Sequence, residues 1–255
     1  MGHSKIYVEF IENIQKSNHI THLDADTYFG KGSLNAAKRG VGANISAVNA
    51  VMSGDFNNAF SAIRPPGHHA ETEKAMGFCI FGNVAIAAKY AIENHKLKRV
   101  AVVDFDVHHG NGTQEILWDD PNVLFVSTHQ MPLWPGSGTH EEHGKHQNIL
   151  NIPIQANTDG PAFRQKFDEI ILPRLDSYKP EILIISAGFD AHYKDPLANI
   201  ELMTEDYEWI THRLCDIADE HADGRLISSL EGGYNLAALA ESVAVHVKVL
   251  MERSK

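Results

Sequence analysis

The sequence is poor in cysteine and has no excess of basic residues. Its 255 residues include two cysteines, Cys79 and Cys215, which form no CxxC pair. A disulfide scaffold and a thiolate zinc site are therefore both disfavoured, and a reducing cytoplasmic location is expected. The chain has 33 acidic and 22 basic residues, a net charge of −11. Because a nucleic-acid-binding surface should be basic, we expect no nucleic-acid partner.

Long hydrophobic runs, leader patterns and linkers are lacking as well. No apolar stretch approaches the ~20 residues that a membrane-spanning helix needs. The start MGHSKIYVEF does not show the basic and then apolar pattern of a secretory signal. No repeat or Pro/Ser-rich linker interrupts the sequence, and 43% of the residues are hydrophobic. These features predict one domain over residues 1–255 with no membrane partner.

Apolar runs alternate with segments of helical spacing along the chain. The runs predict strands at 59–64, 100–105, 123–128, 148–154, 181–188 and 225–230. The spacing predicts helices at about 33–53, 82–95, 161–178, 203–221 and 235–252. This alternation is typical of an α/β fold with a mostly parallel central sheet flanked by helices. Ligand sites in such sheets lie at the carboxyl ends of the strands.

Polar clusters follow five of the predicted strands. They are RPPGHHA, DVHHGNG, STHQ, GFDAHYKDP and LEGGYN. Each cluster alone is compatible with an ordinary surface loop. Because the carboxyl ends of parallel strands meet at one edge, all five are predicted to line the same rim of the sheet.

One group at this rim has the residue types of a metal site. Asp106 and His108 are spaced i, i+2, which places both side chains on one side of an extended backbone. Asp190, after another buried strand, is the best candidate for a third ligand. One imidazole and two carboxylates suit zinc, which keeps an open position when it is catalytic. The alternative is that these are hydrogen-bonded loop residues.

Two further motifs suggest acid–base chemistry. His68 and His69 are adjacent, so they cannot easily share one ion, but they can flank a reacting water. Asp104 and Asn111 are candidates to fix the tautomers of the two rings. Tyr234 follows two glycines and could donate its hydroxyl to an oxyanion. The alternatives are a surface His-His pair and a core tyrosine.

Taken together, IRPPGHHAE, GFCIFGNVAIAA, VDFDVHHGNGTQ, SAGFDAHYKDPL and LEGGYN resemble the histone deacetylase superfamily, in its class II-like and bacterial amidohydrolase-like branch. The resemblance covers almost the whole chain and implies a single catalytic domain. It implies the arginase/deacetylase fold and zinc-dependent hydrolysis of N-acetyl-lysine in a peptide or protein, or of a small acylated amine. Asn111 stands where class I relatives have an aspartate, which places the chain in the class II-like branch.

The resemblance also implies roles for individual residues. The implied zinc ligands are Asp106, His108 and Asp190. The implied catalytic residues and their partners are His68, His69, Tyr234, Asp104 and Asn111. The implied substrate channel is formed by Gly77, Phe78, Trp134 and Leu197. A potassium ion is implied beside the zinc, held by Asp104, Asp106, His108, Ser127 and Thr128.

Several alternatives stay open at this point. An acetylpolyamine amidohydrolase would use the same chemistry, although Leu197 stands where polyamine-specialised relatives place an acid. A non-catalytic acyl-lysine-binding remnant would be expected to have lost ligands, and an arginase-like ureohydrolase would need more carboxylates. His140, His143 and His146 suggest a second metal site or a solvated loop.

Relatives usually begin some tens of residues earlier, with a first strand and a loop that lines the active-site mouth. We therefore expect an N-terminally shortened fold and a homo-oligomer in which a neighbour covers the gap. In the alternative, residues 4–16 or 18–30 fill the gap from within.

Overall fold

The computed structural model describes residues 1–16 and 19–254. Its helices are α1 Lys5–Ile14, α2 Ser33–Ser53, α3 Asn83–His95, α4 Asn111–Leu117, α5 Gly160–Lys166, α6 Leu172–Tyr178, α7 Thr204–His221 and α8 Leu236–Glu252. Its strands are β1 Thr21–His22, β2 Tyr28–Phe29, β3 Asn58–Ser61, β4 Val100–Asp104, β5 Val123–Gln130, β6 Ile149–Ile154, β7 Ile182–Ala187 and β8 Leu226–Leu230. In this part of the chain no helix is long and apolar enough to span a bilayer.

A six-stranded sheet forms the centre of the fold. Its strand order is β3-β8-β7-β4-β5-β6, and every neighbouring pair is parallel. The central strands β4, β5 and β7 are buried along their whole length. Helices cover both faces, which is why these strands are nearly continuous apolar runs. The predicted α/β class with a parallel central sheet is confirmed.

The two faces of the sheet carry separate hydrophobic clusters. Ala101 and Val103 of β4 pack with the cluster that includes residues of α5 to α8. Val100 and Val102, which point to the other side, pack with residues of α2 and α3. This alternation follows from the two-residue period of a strand. Packing on both faces holds β4 in place, and with it Asp104, the last residue of the strand.

The predicted strands and long helices are present, with most bounds shifted by one or two residues. The strand predicted at 59–64 ends earlier, at Ser61, and the chain then enters the Pro65-Pro66 segment. The helix predicted at 161–178 is divided into α5, a π-helical turn at Phe167–Ile171, and α6. Because Pro173 has no amide hydrogen, it cannot donate the backbone hydrogen bond of a continuous α-helix. The π-helical turn lies directly before this proline.

The N-terminal segment packs against the loops that follow β3. Tyr7 and Ile11 of α1 are buried with Phe29 and Phe81, and the Tyr7 hydroxyl donates to the Ile80 carbonyl at 2.7 Å. Residues 4–16 and 19–30 thus pack within the fold, and residue 18 of the second segment lies outside the described residues. The homo-oligomer stays a prediction.

Polar residues lie side by side across the sheet near the carboxyl ends of its strands. The strand register aligns, from one edge to the other, Ser61, Ser229, Ser186, Asp104, Ser127 and Asn151. All six side chains are buried. Each of the six strands therefore contributes one buried polar side chain at the same level of the sheet. The candidate site begins immediately above this row.

His246 of α8 is a buried polar group on the opposite side of the core from the N-terminal segment. Its Nδ1 lies 2.7 Å from the Thr211 hydroxyl, and its Nε2 lies 2.9 Å from the Ser228 hydroxyl. The Thr211 hydroxyl donates to the Tyr207 carbonyl at 2.6 Å, so it accepts from His246 Nδ1. The neutral ring is satisfied by these two contacts, and burial lowers its pKa to about 3.

We expect this histidine to make the fold sensitive to acid. An unfolded histidine titrates near pH 6.5, so between about pH 3 and 6.5 the unfolded chain binds the extra proton. Stability should therefore fall as the pH falls through that window, by about 2 kcal/mol at pH 5. Urea unfolding of His246→Gln at pH 7.5 and 5 should show a smaller acid loss than the parent protein. The exposed His140→Gln is the control, and equal acid losses in parent and His246→Gln would contradict the prediction.

Candidate active site

The loops that leave the sheet enclose a pocket at the carboxyl edge. Its volume is about 190 Å³, and it is lined by Asp26, His69, Gly77, Phe78, His108, Leu133, Trp134, Leu197 and Tyr234. The pocket therefore contains all the predicted channel residues. It also contains His69 of the predicted histidine pair, the predicted metal ligand His108 and the predicted oxyanion donor Tyr234. Aromatic walls and a polar floor give this cavity the character of a small-molecule or side-chain site.

The predicted metal ligands converge on the floor of the pocket. Asp106, His108 and Asp190 each offer a ligand atom, and these atoms lie within 4.8 Å of one another. His108 Nδ1 is 3.1 Å from Asp106 Oδ1 and 3.1 Å from Asp190 Oδ2. The side chains of the two aspartates are almost completely buried. Two buried carboxylates this close to each other are costly unless they are paired, hydrogen-bonded or bound to a cation.

Backbone amides hold both carboxylates in place. The Val107 amide donates to Asp190 Oδ1 at 2.9 Å, and the Gly232 amide donates to Asp106 Oδ2 at 2.8 Å. A Cβ at Gly232 would collide with both carboxylates, so glycine is needed for this close approach. Burial and the neighbouring Asp106 charge raise the pKa of Asp190 to about 7. One imidazole nitrogen and two carboxylate oxygens fit zinc or a similar divalent ion.

The two adjacent histidines lie beside this group with different partners. His68 Nδ1 is 2.9 Å from Asp104 Oδ2, and His69 Nδ1 is 2.8 Å from Asn111 Oδ1. Their ring centroids are 3.9 Å apart. The two candidate partners, Asp104 and Asn111, thus each contact one ring, and both histidine side chains are buried.

The different surroundings of the two rings shift their pKa values in opposite directions. Burial alone would lower the pKa of His68, but the Asp104 and Asp106 carboxylates outweigh it and raise this pKa well above its usual value. Burial and the charge on His68 lower the pKa of His69 well below its usual value. At neutral pH the pair therefore consists of a charged His68 and a neutral His69.

Tyr234 lies at the pocket wall after the Gly232-Gly233 turn. Its backbone amide donates to Asp195 Oδ2 at 2.7 Å, and its ring centroid is 6.1 Å from that of Phe78. Burial and the Asp190 charge raise the pKa of the phenol. The hydroxyl therefore remains protonated and available as a donor.

The predicted channel residues surround the pocket mouth. Phe78, Trp134 and Leu197 are 37%, 42% and 47% exposed, as expected for residues that face an opening. The Trp134 ring lies edge-on to His69, with centroids 4.6 Å apart. Gly77 has φ +55°, and a Cβ there would meet the rings of His69 and Trp134. The narrow floor therefore depends on glycine at this position.

The predicted potassium ligands lie next to one another at the ends of β4 and β5. Ser127 is the register partner of Asp104, and the Thr128 hydroxyl lies 3.4 Å from the Asp104 carbonyl. The Ser127 hydroxyl is 2.9 Å from His129 Nδ1. Among the described residues, the His140, His143 and His146 loop provides no group of three metal-ligating side chains.

Sequence reasoning missed several residues of the site. The buried Glu231 accepts from the Gly67 and His68 amides at 2.7 and 3.2 Å and from the Ser186 hydroxyl at 2.9 Å. It fixes the two-histidine loop to the sheet, and burial raises its pKa to about 7. Its position in LEGGYN was a possible signal, because an acid directly after an apolar strand must find a partner.

Asp26 and Asp195 were missed as well. Asp26 lines the pocket, and the neighbouring Thr27 hydroxyl accepts from the Phe78 amide at 2.9 Å. Asp195 accepts from the amides of Tyr234 and Asn235. Residues 19–30 thus supply part of the pocket rim, and no local pattern in the sequence indicates this.

Comparison with known proteins identifies the family of the chain. The histone deacetylase domain model matches residues 1–250. A probable deacetylase of Archaeoglobus fulgidus is 41% identical over 92% of this chain and 65% of its own length. The histone deacetylase-like amidohydrolase of Pseudomonas aeruginosa is 41% identical over 84% of this chain and 58% of its own length. The crystal structure of the HDA15 HD domain superposes with a TM-score of 0.93 at 34% identity, over 99% of this chain and 72% of that one.

The fold has the arginase/deacetylase architecture, which is the class of the deacetylase-type amidohydrolases. The chain belongs to the histone deacetylase family. It spans between 42% and 73% of the length of the first four curated relatives. Two of these, from rice and Arabidopsis thaliana, are described as chloroplastic.

Proposed function

We propose that the protein is a zinc-dependent deacylase that hydrolyses the amide of N-acetyl-lysine or a similar acylated amine. The observation that carries this proposal is the meeting of three elements in one pocket: the Asp106, His108 and Asp190 group, the histidine pair, and Tyr234. Amide hydrolysis needs a polarised carbonyl, an activated water and a proton for the leaving amine. Each of these needs has a candidate group within the pocket.

Asp106, His108 and Asp190 would hold the metal. A divalent ion bound there would supply Lewis-acid polarisation of the acyl carbonyl and would acidify a water. The neutral His69 would take a proton from the attacking water on its Nε2, because its Nδ1 is engaged by Asn111. The charged His68 would stabilise the negative charge that develops, with Asp104 holding its Nδ1 proton.

Tyr234 would donate its hydroxyl to the tetrahedral oxyanion. When the C–N bond breaks, the histidine pair would return a proton to the nitrogen of the leaving amine. The products are a free amine and a short carboxylate, which balance one amide and one water. Phe78 and Trp134 would enclose the linear chain that joins the acyl group to the rest of the substrate.

An acetylpolyamine is the second candidate substrate. Asp26 is an exposed carboxylate at the pocket lining, and it could attract the cationic chain of a polyamine. Leu197 at the same mouth favours the acetyl-lysine substrate instead. A protein that only binds acyl-lysine would need no Tyr234 hydroxyl and no histidine pair.

We propose a potassium ion near Asp104, Ser127 and Thr128, and a homo-oligomer in solution. A reducing location such as the cytoplasm is supported by the free and buried state of Cys79 and Cys215.

Acetate release tests the proposed function directly. The purified, zinc-loaded protein is incubated with an acetyl-lysine peptide, with acetylspermidine, or with no substrate, each with and without a chelator. We expect acetate from the peptide, loss of release with the chelator, and recovery when zinc is added back. Faster release from acetylspermidine would favour the polyamine substrate. Absence of release from both substrates at full zinc occupancy would refute a deacylase.

A further inference from the structure

The proton position on His69 depends on a partner that is chemically ambiguous. To act as a base toward the pocket, His69 must carry its proton on Nδ1 and leave Nε2 free. Asp104, which contacts His68, can only accept and therefore forces a proton onto that Nδ1. Asn111, which contacts His69, is an amide that can present either its oxygen or its NH₂ group. Asn111 by itself does not decide the tautomer of His69.

Glu71 removes this ambiguity. Its Oε1 lies 2.7 Å from Asn111 Nδ2, and an ionised carboxylate can only accept hydrogen bonds. The NH₂ group of Asn111 is therefore held toward Glu71, which leaves Asn111 Oδ1 facing His69 Nδ1 at 2.8 Å. A flipped amide would place two acceptor oxygens against each other at the Glu71 contact. Met76 Sδ, 3.4 Å from the same Nδ2, is a weak acceptor that favours the same orientation.

The fold holds Glu71 in position for this contact. Its amide donates to the Lys74 carbonyl at 2.9 Å within a tight turn, and its own carbonyl lies 3.0 Å from His3 Nδ1. The side chain is half-buried, so it remains in contact with solvent as well as with Asn111.

We propose that Glu71 is a positioning residue that fixes the tautomer of His69 by orienting the Asn111 amide. The catalytic consequence rests on the proposed deacylase function, but the tautomer itself does not. Glu71 is not among the residues that line the pocket, and it acts on His69 through Asn111. The residue belongs to the RPPGHHAE motif, where its place two residues after His69 gives no sign of this contact.

Substitutions of Glu71 should separate its hydrogen bond from its charge. Glu71→Ala removes the acceptor and should lower kcat about tenfold with KM unchanged, in the range seen for residues that orient other active-site groups. Glu71→Gln can still accept from Asn111 through its amide oxygen and should recover most of that loss. Glu73→Ala and Glu73→Gln change the same charge in the same turn at an exposed position, and both should leave kcat unchanged.

A double substitution tests the contact itself. Asn111→Asp places a carboxylate against Glu71 and should lower kcat by more than Glu71→Gln does. Adding Glu71→Gln to Asn111→Asp gives the new carboxylate an NH₂ donor and should restore activity. Absence of this rescue would overturn the proposed contact, and the test remains valid if Glu71→Ala fails to fold.

Imidazole NMR gives a readout that does not depend on turnover. Two-bond ¹H–¹⁵N correlation spectra of the zinc-loaded protein identify the protonated nitrogen, and His69→Ala assigns the His69 signals. We expect Nδ1–H in the parent protein and a mixture of tautomers, or Nε2–H, in Glu71→Ala. An unchanged Nδ1–H tautomer in Glu71→Ala would overturn the proposal. A tautomer change in a protein that releases no acetate would instead refute the proposed function and support this inference.

Discussion

Asp190→Asn should deprive the protein of its metal while leaving the fold intact. The side-chain amide introduced by this substitution can still accept from the Val107 amide through its oxygen, but its NH₂ group would then face His108 Nδ1 and the bound ion. We expect zinc affinity to fall about 100-fold or more, since the loss of groups that only orient ligands already costs roughly 10–100-fold. Elemental analysis after gel filtration should show little zinc, and acetate release should fall in parallel.

A second group of potential ligands provides the matched control. Asp176, Glu220 and His221 also lie within reach of one ion, but Asp176 and Glu220 are exposed. Asp176→Asn should leave both the zinc content and the activity unchanged. Full zinc occupancy in Asp190→Asn would contradict the assignment of this ligand.

Tyr234→Phe should lower kcat while leaving substrate affinity nearly unchanged. The substitution keeps the ring beside Phe78 and the backbone contact with Asp195, and it removes only the hydroxyl. Loss of one oxyanion donor typically costs ~10²–10³-fold in kcat. Steady-state kinetics on an acetyl-lysine peptide measure the effect as a change in kcat at constant KM.

Two comparisons distinguish a catalytic hydroxyl from a structural one. A trifluoroacetyl-lysine peptide should lose less activity in Tyr234→Phe, because its carbonyl is already polarised. Tyr193→Phe removes a hydroxyl from a tyrosine that is 48% exposed near the same loop, and it should have no effect. An unchanged kcat in Tyr234→Phe would mean that the tyrosine has a packing role.

The sequence predicted those parts of the site that follow directly from strand ends. Asp106, His108 and Asp190 were predictable as neighbours because buried parallel strands bring their carboxyl ends to one edge. Asp104 and Asn111 were predicted as partners of the two histidines, and the structure places one against each ring, but the sequence did not indicate which ring takes which partner. Their roles as ligands and catalysts stay predictions until the variants are measured.

The remaining parts depend on single long-range contacts that leave no local pattern. Glu231 and Asp195 each hold another loop by its backbone amides, and a backbone partner has no residue-specific signature. Asp26 reaches the pocket only because the segment after α1 packs beside Phe78. The short helix α4 was missed because its start is rich in glycine, which disfavours helices.

The place of β8 in the sheet has a consequence for synthesis of the protein. Among the strands of the described six-stranded sheet, β8 comes last in the sequence, yet it lies between β3 and β7. In that sheet β3 pairs with β8, and β8 pairs with β7. While a ribosome is still making residues 226–230, β3 has no sheet to join, and Glu231 and Tyr234 do not yet exist. The nascent chain must therefore keep an early strand unpaired until β8 has been made, and a chaperone would be most useful during that interval.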